Sequence, residues 1–264
     1  MLQDYFVSLI KCFTLSCLIE TQKQQNHLRI LQLFLAPSHK TLSTISGIKL
    51  DPSDILVQLS SAGSEDIVET AMVKKEMVFV QIGIVSCLTQ AFYCRDFNRA
   101  SKIIVKYQNF FQMLQGQQMS IREFEAIFLA GLVSFHMARE TRERFWMERG
   151  MNVLAVYSKW SVLNEWNFSH KFLLLKAELH YTNGETNAAI EAYDQAVKAA
   201  QNHSFIHQVA LACELAARFY GNIGHTRCCK NMLQQSHDAY IEWGAALKAA
   251  AVLSLLDLKW MDAK

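Results

Sequence analysis

The amino-acid sequence predicts an all-α protein built from stacked antiparallel helix pairs, and three observations carry that prediction. The 264 residues include only two prolines and ten glycines, where average usage would give roughly thirteen and eighteen. A hydrophobic fraction of 51% with 19% charged residues is too apolar for a disordered chain. From about residue 65 onward, apolar residues recur with the 3.6-residue period of helices. Sandwiches and barrels, which need many Gly and Pro turns, are therefore excluded.

The net charge narrows the classes of partner to be expected, and the cysteine content narrows the cellular compartment. A net charge of +2 provides no basic field to attract nucleic acid, so no nucleic-acid partner is expected. Most of the seven cysteines lie in apolar stretches, where thiols act as small core residues, and this favours a cytoplasmic protein. Residues 77–94 carry no charge, but their polar side chains favour a buried helix over a membrane span.

The N-terminal part is expected to differ from the rest. Residues 2–35 predict a helical stretch, whose apolar run we interpret as helix rather than as a signal peptide, and Pro37 ends it. Residues 36–66 contain both prolines and predict an irregular segment with a short helix at about 51–63. The predicted organisation is N-terminal helices and a loop in residues 1–66, followed by helical repeats in residues 67–264, clearest in 169–244.

The C-terminal third shows the clearest succession of helices. Residues 169–182 are apolar on nearly all sides, which predicts a buried helix. Three amphipathic helices and a last helix through Leu258 are expected to follow. Glycine or turn residues separate them, because such residues end helices in left-handed conformations. The predicted breaks are Asn183-Gly184, Asn202–Ser204, Asn222-Ile223-Gly224 and Gly244.

The breaking glycines align two copies of one unit, 40 residues apart from Gly184 to Gly224. The matching positions are Ala177, Ala189, Tyr193 and Ala196 with Ala217, Cys229, Leu233 and Ser236. The first copy resembles the tetratricopeptide consensus closely, although its usual closing proline is missing, and the second copy is a looser match. A third, degenerate copy is expected upstream, where Asp96-Phe97-Asn98-Arg99-Ala100 begins a helix with Ile104 and Tyr107. The sequence thus predicts a tetratricopeptide-like solenoid.

Several strings between Trp166 and Ala246 resemble a narrower family. They include Trp166-Asn167-Phe168-Ser169-His170-Lys171-Phe172, Ala192-Tyr193-Asp194-Gln195-Ala196, Glu214-Leu215-Ala216-Ala217-Arg218-Phe219-Tyr220 and Tyr240 with Trp243-Gly244-Ala245. These strings resemble the helical region of large multi-domain signalling kinases, in which a serine/threonine-kinase-like domain and an AAA-type ATPase precede the repeats. Sensors and a histidine kinase often follow them. The resemblance implies a scaffold for protein–protein interaction or signal transmission, with kinase or ATPase domains as partners.

The catalytic motifs of that family are missing from this sequence. There is no Gly-rich phosphate loop followed by Lys-Ser/Thr, no kinase catalytic loop and no Asp-Phe-Gly. The resemblance therefore implies the helical module alone, as a free-standing protein or as a piece of a larger one. We expect a non-enzyme and assign no catalytic, cofactor-binding or metal-binding residue.

Histidines and cysteines that could carry chemistry are explained better by packing. His203 and His207 are four residues apart, but His203 precedes the expected helix and no third ligand accompanies the two. Cys228 and Cys229 lie near His225, yet adjacent residues of a helix point to different faces and no Cys-x-x-Cys motif is present.

The charged run is explained by a solvated helix face, and the spaced phenylalanines are explained by core packing. Residues 139–149 alternate in sign, which predicts a solvated helix with Glu140–Arg144 and Arg144–Glu148 ion pairs. Glu123 and Glu125 are two apart and are not expected to share a helix face. Phenylalanines at helical spacing predict core packing; they are Phe110, Phe111, Phe124, Phe128 and Phe135.

The surface that would meet a partner is expected on the first helix of each pair. Its candidate contact positions are Lys171, Lys176, His180, Gln208, Glu214 and Arg218, although solvation explains each of them equally well. Two alternatives stay open. One is an enzyme or small-molecule-binding protein with an apolar cavity among the Phe- and Trp-rich helices. The other is a regulatory fragment that works only in trans with a kinase.

Overall fold

The protein is all-α throughout the part that the computed structural model describes, residues 68–69, 72–73, 77–113 and 121–258. This part contains ten α-helices and no strand. The chain divides into two compact units, residues 1–113 and 114–264. The N-terminal helical stretch, the irregular segment and the predicted boundary after residue 66 all lie outside the described residues.

The first unit contains three described helices, α1 (Met77–Tyr93), α2 (Phe97–Lys106) and α3 (Gln108–Met113). The charge-free run forms α1, whose side chains from Val80 to Tyr93 are mostly buried. Asp96 caps α2 by accepting a hydrogen bond from the Arg99 backbone N–H at 2.9 Å. The helix start predicted at Asp96 is thereby confirmed. No helix in the described ranges combines the length and apolarity needed to cross a membrane.

Seven helices make up the described part of the second unit. They are α4 (Ile121–Thr141), α5 (Arg144–Leu163), α6 (Glu165–Asn183), α7 (Thr186–Asn202), α8 (Ile206–Asn222), α9 (Thr226–Trp243) and α10 (Ala246–Leu258). Each helix packs against the next one along the chain. Because the connections are only one to three residues long, sequential neighbours run antiparallel. In addition α4 packs on α6 and α6 on α8, so these even-numbered helices lie side by side.

Five of the corners between helices share one geometry. At each of them a residue with positive φ is followed by a backbone N–H that donates to the carbonyl five residues earlier. The positive-φ residues are Arg95, Gly184, Ser204, Gly224 and Gly244, with φ between 58° and 93°. The N–H···O distances are 2.8–3.0 Å. The four breaks predicted in the C-terminal third are therefore confirmed.

The charged run at residues 139–149 departs from the prediction. Arg142 adopts a left-handed conformation with φ 60° after the end of α4, and α5 begins at Arg144. The expected Glu140–Arg144 pair on one helix is wrong, because the two residues belong to different helices. Arg144 and Glu148 do form the expected surface pair, with 2.6 Å between Nε and Oε1. Arg139 is not solvated as expected, because it binds to α6.

Aromatic side chains fill much of the core of the second unit. Phe128, Phe135 and Tyr157 are fully buried, as the helical spacing of the phenylalanines predicts. Phe124 is half-buried and packs edge-on against Trp160, with ring centroids 4.8 Å apart. Phe111 of the first unit is buried too, whereas Phe110 is only partly covered.

Gly131 controls how closely α4 approaches α5 and α6. A Cβ at this position would lie 2.7 Å from Val153 Cγ1 and 2.8 Å from Leu175 Cδ2. We expect Gly131→Ala to lower the free energy of unfolding by about 1–3 kcal/mol, because the core would be overpacked. Guanidinium unfolding followed by circular dichroism measures the change.

Gly221→Ala is the matched control. Its added Cβ would meet only Cys229 Sγ, at 3.4 Å, and alanine is the better helix former. This variant is expected to keep its stability or to gain up to about 1 kcal/mol. Equal losses in the two variants would show that close approach at Gly131 is not the constraint.

Candidate functional site

Carboxylates that are buried or partly buried connect the even-numbered helices of the second unit. Each of three glutamates pairs with a cation from another even-numbered helix, and none of these six side chains is more than 23% exposed. The pairs are Glu178–Arg139 (2.7 Å, α6 to α4), Glu125–Lys171 (2.6 Å, α4 to α6) and Glu214–Lys248 (3.1 Å, α8 to α10).

Glu178 has partners for both carboxylate oxygens. Oε2 accepts from Arg139, and Oε1 accepts from the Tyr193 hydroxyl of α7 at 2.6 Å. The Arg139 guanidinium also lies 4.3 Å from the centre of the Tyr181 ring. Burial, followed by the adjacent carboxylate, raises the pKa of Tyr193 well above its ordinary value, so the phenol stays a donor. This network is satisfied internally and is structural.

Glu214 is the equivalent centre on α8. Its Oε2 accepts from the Tyr240 hydroxyl at 2.9 Å, and its Oε1 accepts from Lys248 at 3.1 Å. Arg218, one turn later on α8, adds a third donor at 3.2 Å. Glu214 is 1% exposed. It therefore joins α9 and α10 to α8 and offers no oxygen to a partner.

Glu125 brings three helices together near one end of the unit. Its Oε2 accepts from Lys171 Nζ of α6, and its Oε1 accepts from Gln208 Nε2 of α8 at 3.2 Å. Burial alone would raise the pKa of Glu125, but Lys171, followed by His207, outweighs burial and lowers it. The carboxylate is therefore ionised at neutral pH and its charge is matched by Lys171.

Histidine and aromatic rings surround the Glu125 pair. His170 is 3% exposed and its ring lies 4.7 Å from that of Phe205. Burial, aided by nearby Lys171, lowers the pKa of His170 to about 3. Burial likewise lowers the pKa of His207 to about 4, although Glu125 opposes it. Both imidazoles are therefore neutral at physiological pH.

Ring contacts link three alternate corners of the second unit, α5–α6, α7–α8 and α9–α10. Trp166, at the start of α6, stacks on His203 of the α7–α8 corner at 4.5 Å. His207, at the start of α8, lies 5.6 Å from Trp243 at the end of α9. Together with Glu125, Lys171, Gln208, His170 and Phe205, these rings form what we call the end cluster.

The predicted contact positions fall into two groups. Lys176 is exposed, and His180 is partly exposed and hydrogen-bonds Glu185. The other four belong to interhelical networks; they are Lys171, Gln208, Glu214 and Arg218. Internal partners account for these four positions, where a partner contact and solvation were equally good explanations; the partners come from neighbouring helices or, for Arg218, from the buried Glu214.

The structure separates the two members of the histidine pair and of the cysteine pair. His203 follows α7 and His207 lies in α8, so the two rings do not share one helix. Across the described residues, no group of three or more His, Cys, Asp or Glu side chains is arranged to hold a metal ion. Cys229 is buried and Cys228 is exposed, which confirms that they occupy different faces. Burial raises the pKa of the Cys213 thiol to about 12, so this thiol is unreactive.

Sequence reasoning missed Glu125 as the centre of the end cluster. Its partners are 46 and 83 residues away, so no local spacing indicates the contacts. The available signal was a carboxylate followed directly by the apolar run from Ala126 to Val133. Such a residue requires a buried partner.

Searches against protein-family models, curated proteins and solved structures find no match to this chain.

Glu125→Ala tests the ion pair at the end cluster. Removing the carboxylate leaves the Lys171 ammonium, whose side chain is 11% exposed, without its counter-charge, and deprives Gln208 of an acceptor. We expect the free energy of unfolding to fall by about 2–4 kcal/mol. Urea unfolding measures it. Glu148→Ala removes an exposed pair and should cost less than about 0.5 kcal/mol; a similar loss in both variants would contradict the assignment.

The buried histidines predict a loss of stability in acid. His170 and His207 bind protons in the unfolded chain below pH 6.5 but in the folded chain only near pH 3 and 4. The unfolded state thus gains protons first, and each histidine removes about 1.4 kcal/mol of stability per pH unit below 6.5.

The free energy of unfolding, measured between pH 7 and pH 5, should therefore fall less steeply in His170→Phe than in the unsubstituted protein. Phenylalanine keeps the ring and removes one of the two titrating groups. Equal slopes in the two proteins would contradict burial of a neutral His170.

Proposed function

We propose that the chain is a tetratricopeptide-like solenoid that acts as a non-catalytic scaffold for protein–protein interaction or signal transmission. The observation that carries the proposal is the repetition of one corner geometry along the chain. Arg95, Gly184, Ser204, Gly224 and Gly244 all precede the same backbone hydrogen bond. Repeated corners between packed helices are typical of solenoids, which present extended surfaces to partners.

The use of charge in the second unit supports a binding role over a catalytic one. Glu125, Glu178 and Glu214 are each neutralised by a cation and share hydrogen bonds with a Tyr or Gln side chain. Carboxylates held in this way position helices and are poorly suited to proton transfer.

An exposed apolar corner supplies a surface for a partner. Val162 and Leu163, at the end of α5, are 85% and 82% exposed, and Trp166 on α6 is 56% exposed. We call these three residues the apolar corner. Exposed apolar groups that include tryptophan are enriched at the energetic centres of protein interfaces. The resemblance to the helical region of signalling kinases makes kinase or ATPase domains the expected partners.

Affinity capture from native lysate of the source cells tests the scaffold. We expect the immobilised chain to retain a defined protein, and the variant Val162→Ser/Leu163→Ser/Trp166→Ser to retain at least about tenfold less of it. The control variant Ile241→Ser/Leu253→Ser changes apolar residues that are 51% and 39% exposed on α9 and α10. Its capture should be unchanged. If nothing is retained above the background of the empty matrix, the scaffold role is refuted.

A further inference from the structure

Four buried polar atoms of the end cluster have no hydrogen-bond partner. They are His170 Nδ1 and Nε2, His203 Nδ1 and Gln208 Oε1. A fifth such atom, Ser169 Oγ, belongs to the residue before His170. Buried polar atoms in folded proteins almost always have a partner, which is protein, water or ligand. Their concentration at the starts of α6 and α8, beside exposed Trp166, indicates a place built to receive hydrogen bonds from outside the chain.

The orientation of the Gln208 amide determines which hydrogen-bonding groups a ligand must present. Because Nε2 donates to Glu125, Oε1 is fixed on the other side of the amide and can only accept a hydrogen bond. Neutral His170 presents one N–H donor and one acceptor nitrogen. A complementary ligand must therefore offer both an N–H or O–H donor and a carbonyl-type acceptor.

The charges around these atoms exclude ionic ligands. Glu125 and Lys171 neutralise each other at 2.6 Å. This pair therefore leaves no uncompensated charge to attract an anion or a cation, and the Gln208 carbonyl oxygen and neutral His170 carry no charge either. A desolvated charge without a counter-charge is strongly disfavoured. The hydrogen-bond pattern together with charge balance favours an uncharged carboxamide.

Three rings of the end cluster differ in exposure to solvent, and Trp166 is the most exposed of them. Trp166 is 56% exposed, His203 beneath it is partly buried, and His170 is 3% exposed, 6.4 Å from the His203 ring. Val162 and Leu163, which precede Trp166 in the chain, are exposed too. An apolar group attached to the carboxamide would cover them.

We propose that the end cluster binds an uncharged carboxamide group of a partner peptide, with an adjacent apolar side chain on the apolar corner. The proposal rests on the scaffold function and names the chemistry that the scaffold recognises. His170 and Gln208 pair with the carboxamide, and Trp166 contacts the apolar side chain. Glu125 and Lys171 position Gln208 and His170 without touching the ligand.

Three small probes of matched shape test the chemistry on the full chain. N-acetyl-leucinamide is uncharged, N-acetyl-leucine carries a carboxylate and leucinamide carries an ammonium. Imidazole ¹H–¹³C resonances locate binding, and ligand-observed saturation transfer measures relative affinity. We expect only N-acetyl-leucinamide to shift the His170 resonances. No shift up to its solubility limit would mean that buried water satisfies these atoms, and equal shifts from all three probes would mean unspecific contact; either result overturns the proposal.

Substitutions then separate recognition from folding. His170→Phe retains a ring of similar shape and removes both unpartnered nitrogens, so the fold should persist while the uncharged probe binds about tenfold more weakly. Trp166→Ala should weaken the probe as well. Phe145→Ala changes an aromatic residue that is 44% exposed at the α4–α5 corner and should bind like the unsubstituted protein. Unchanged affinity in His170→Phe overturns the proposal.

The same variants distinguish this inference from the scaffold function. If a protein is captured from lysate and His170→Phe captures as much of it, the scaffold stands and the carboxamide site is refuted. If the probe binds through His170 but no protein is captured, the site takes a small amide instead, which overturns the peptide proposal and the scaffold together.

Discussion

Burial of Glu178 and Glu214, and partial burial of Glu125, is the constraint on which the second unit depends. A carboxylate taken out of water is strongly unfavourable unless a cation and hydrogen-bond donors replace the water. Glu125, Glu178 and Glu214 each obtain their cation from a different even-numbered helix. The α4, α6 and α8, α10 pairs therefore have to be in register before the charges are compensated. Apolar packing holds the helices together, and the glutamate pairs determine the register between them.

This compensation also shapes the surface. Because Lys171 pairs with Glu125, these two charges of the end cluster compensate each other. Burial, aided by Lys171, lowers the pKa of His170 and keeps it neutral. The polar atoms that no internal partner satisfies are left at the starts of α6 and α8, next to exposed apolar side chains. Neutral hydrogen-bonding chemistry beside an apolar surface is the environment that an uncharged peptide segment would complement.

Local signals in the sequence predicted most of the described fold. Helical periodicity and the low Pro and Gly content indicated an all-α protein, and Gly184, Gly224 and Gly244 marked corners because glycine adopts positive φ readily. The same reasoning failed at Arg142, where a non-glycine residue takes that conformation and separates Glu140 from Arg144. A helix break at such a residue depends on the packing of both flanking helices, which short-range patterns do not report.

Much less of the candidate site could be predicted from the sequence. Lys171 and Gln208 were recognised as polar residues on apolar helices, but their shared partner, Glu125, was considered only beside Glu123. The sequence by itself determined that the chain is helical, where the helices of the C-terminal third end, and that Phe111, Phe128 and Phe135 are buried, because these depend on residues within a few turns of one another. Only the tertiary structure decided which charges are solvated and which are buried, because that depends on contacts across as many as 83 residues. The same contacts leave the polar atoms of His170 and Gln208 without partners of their own.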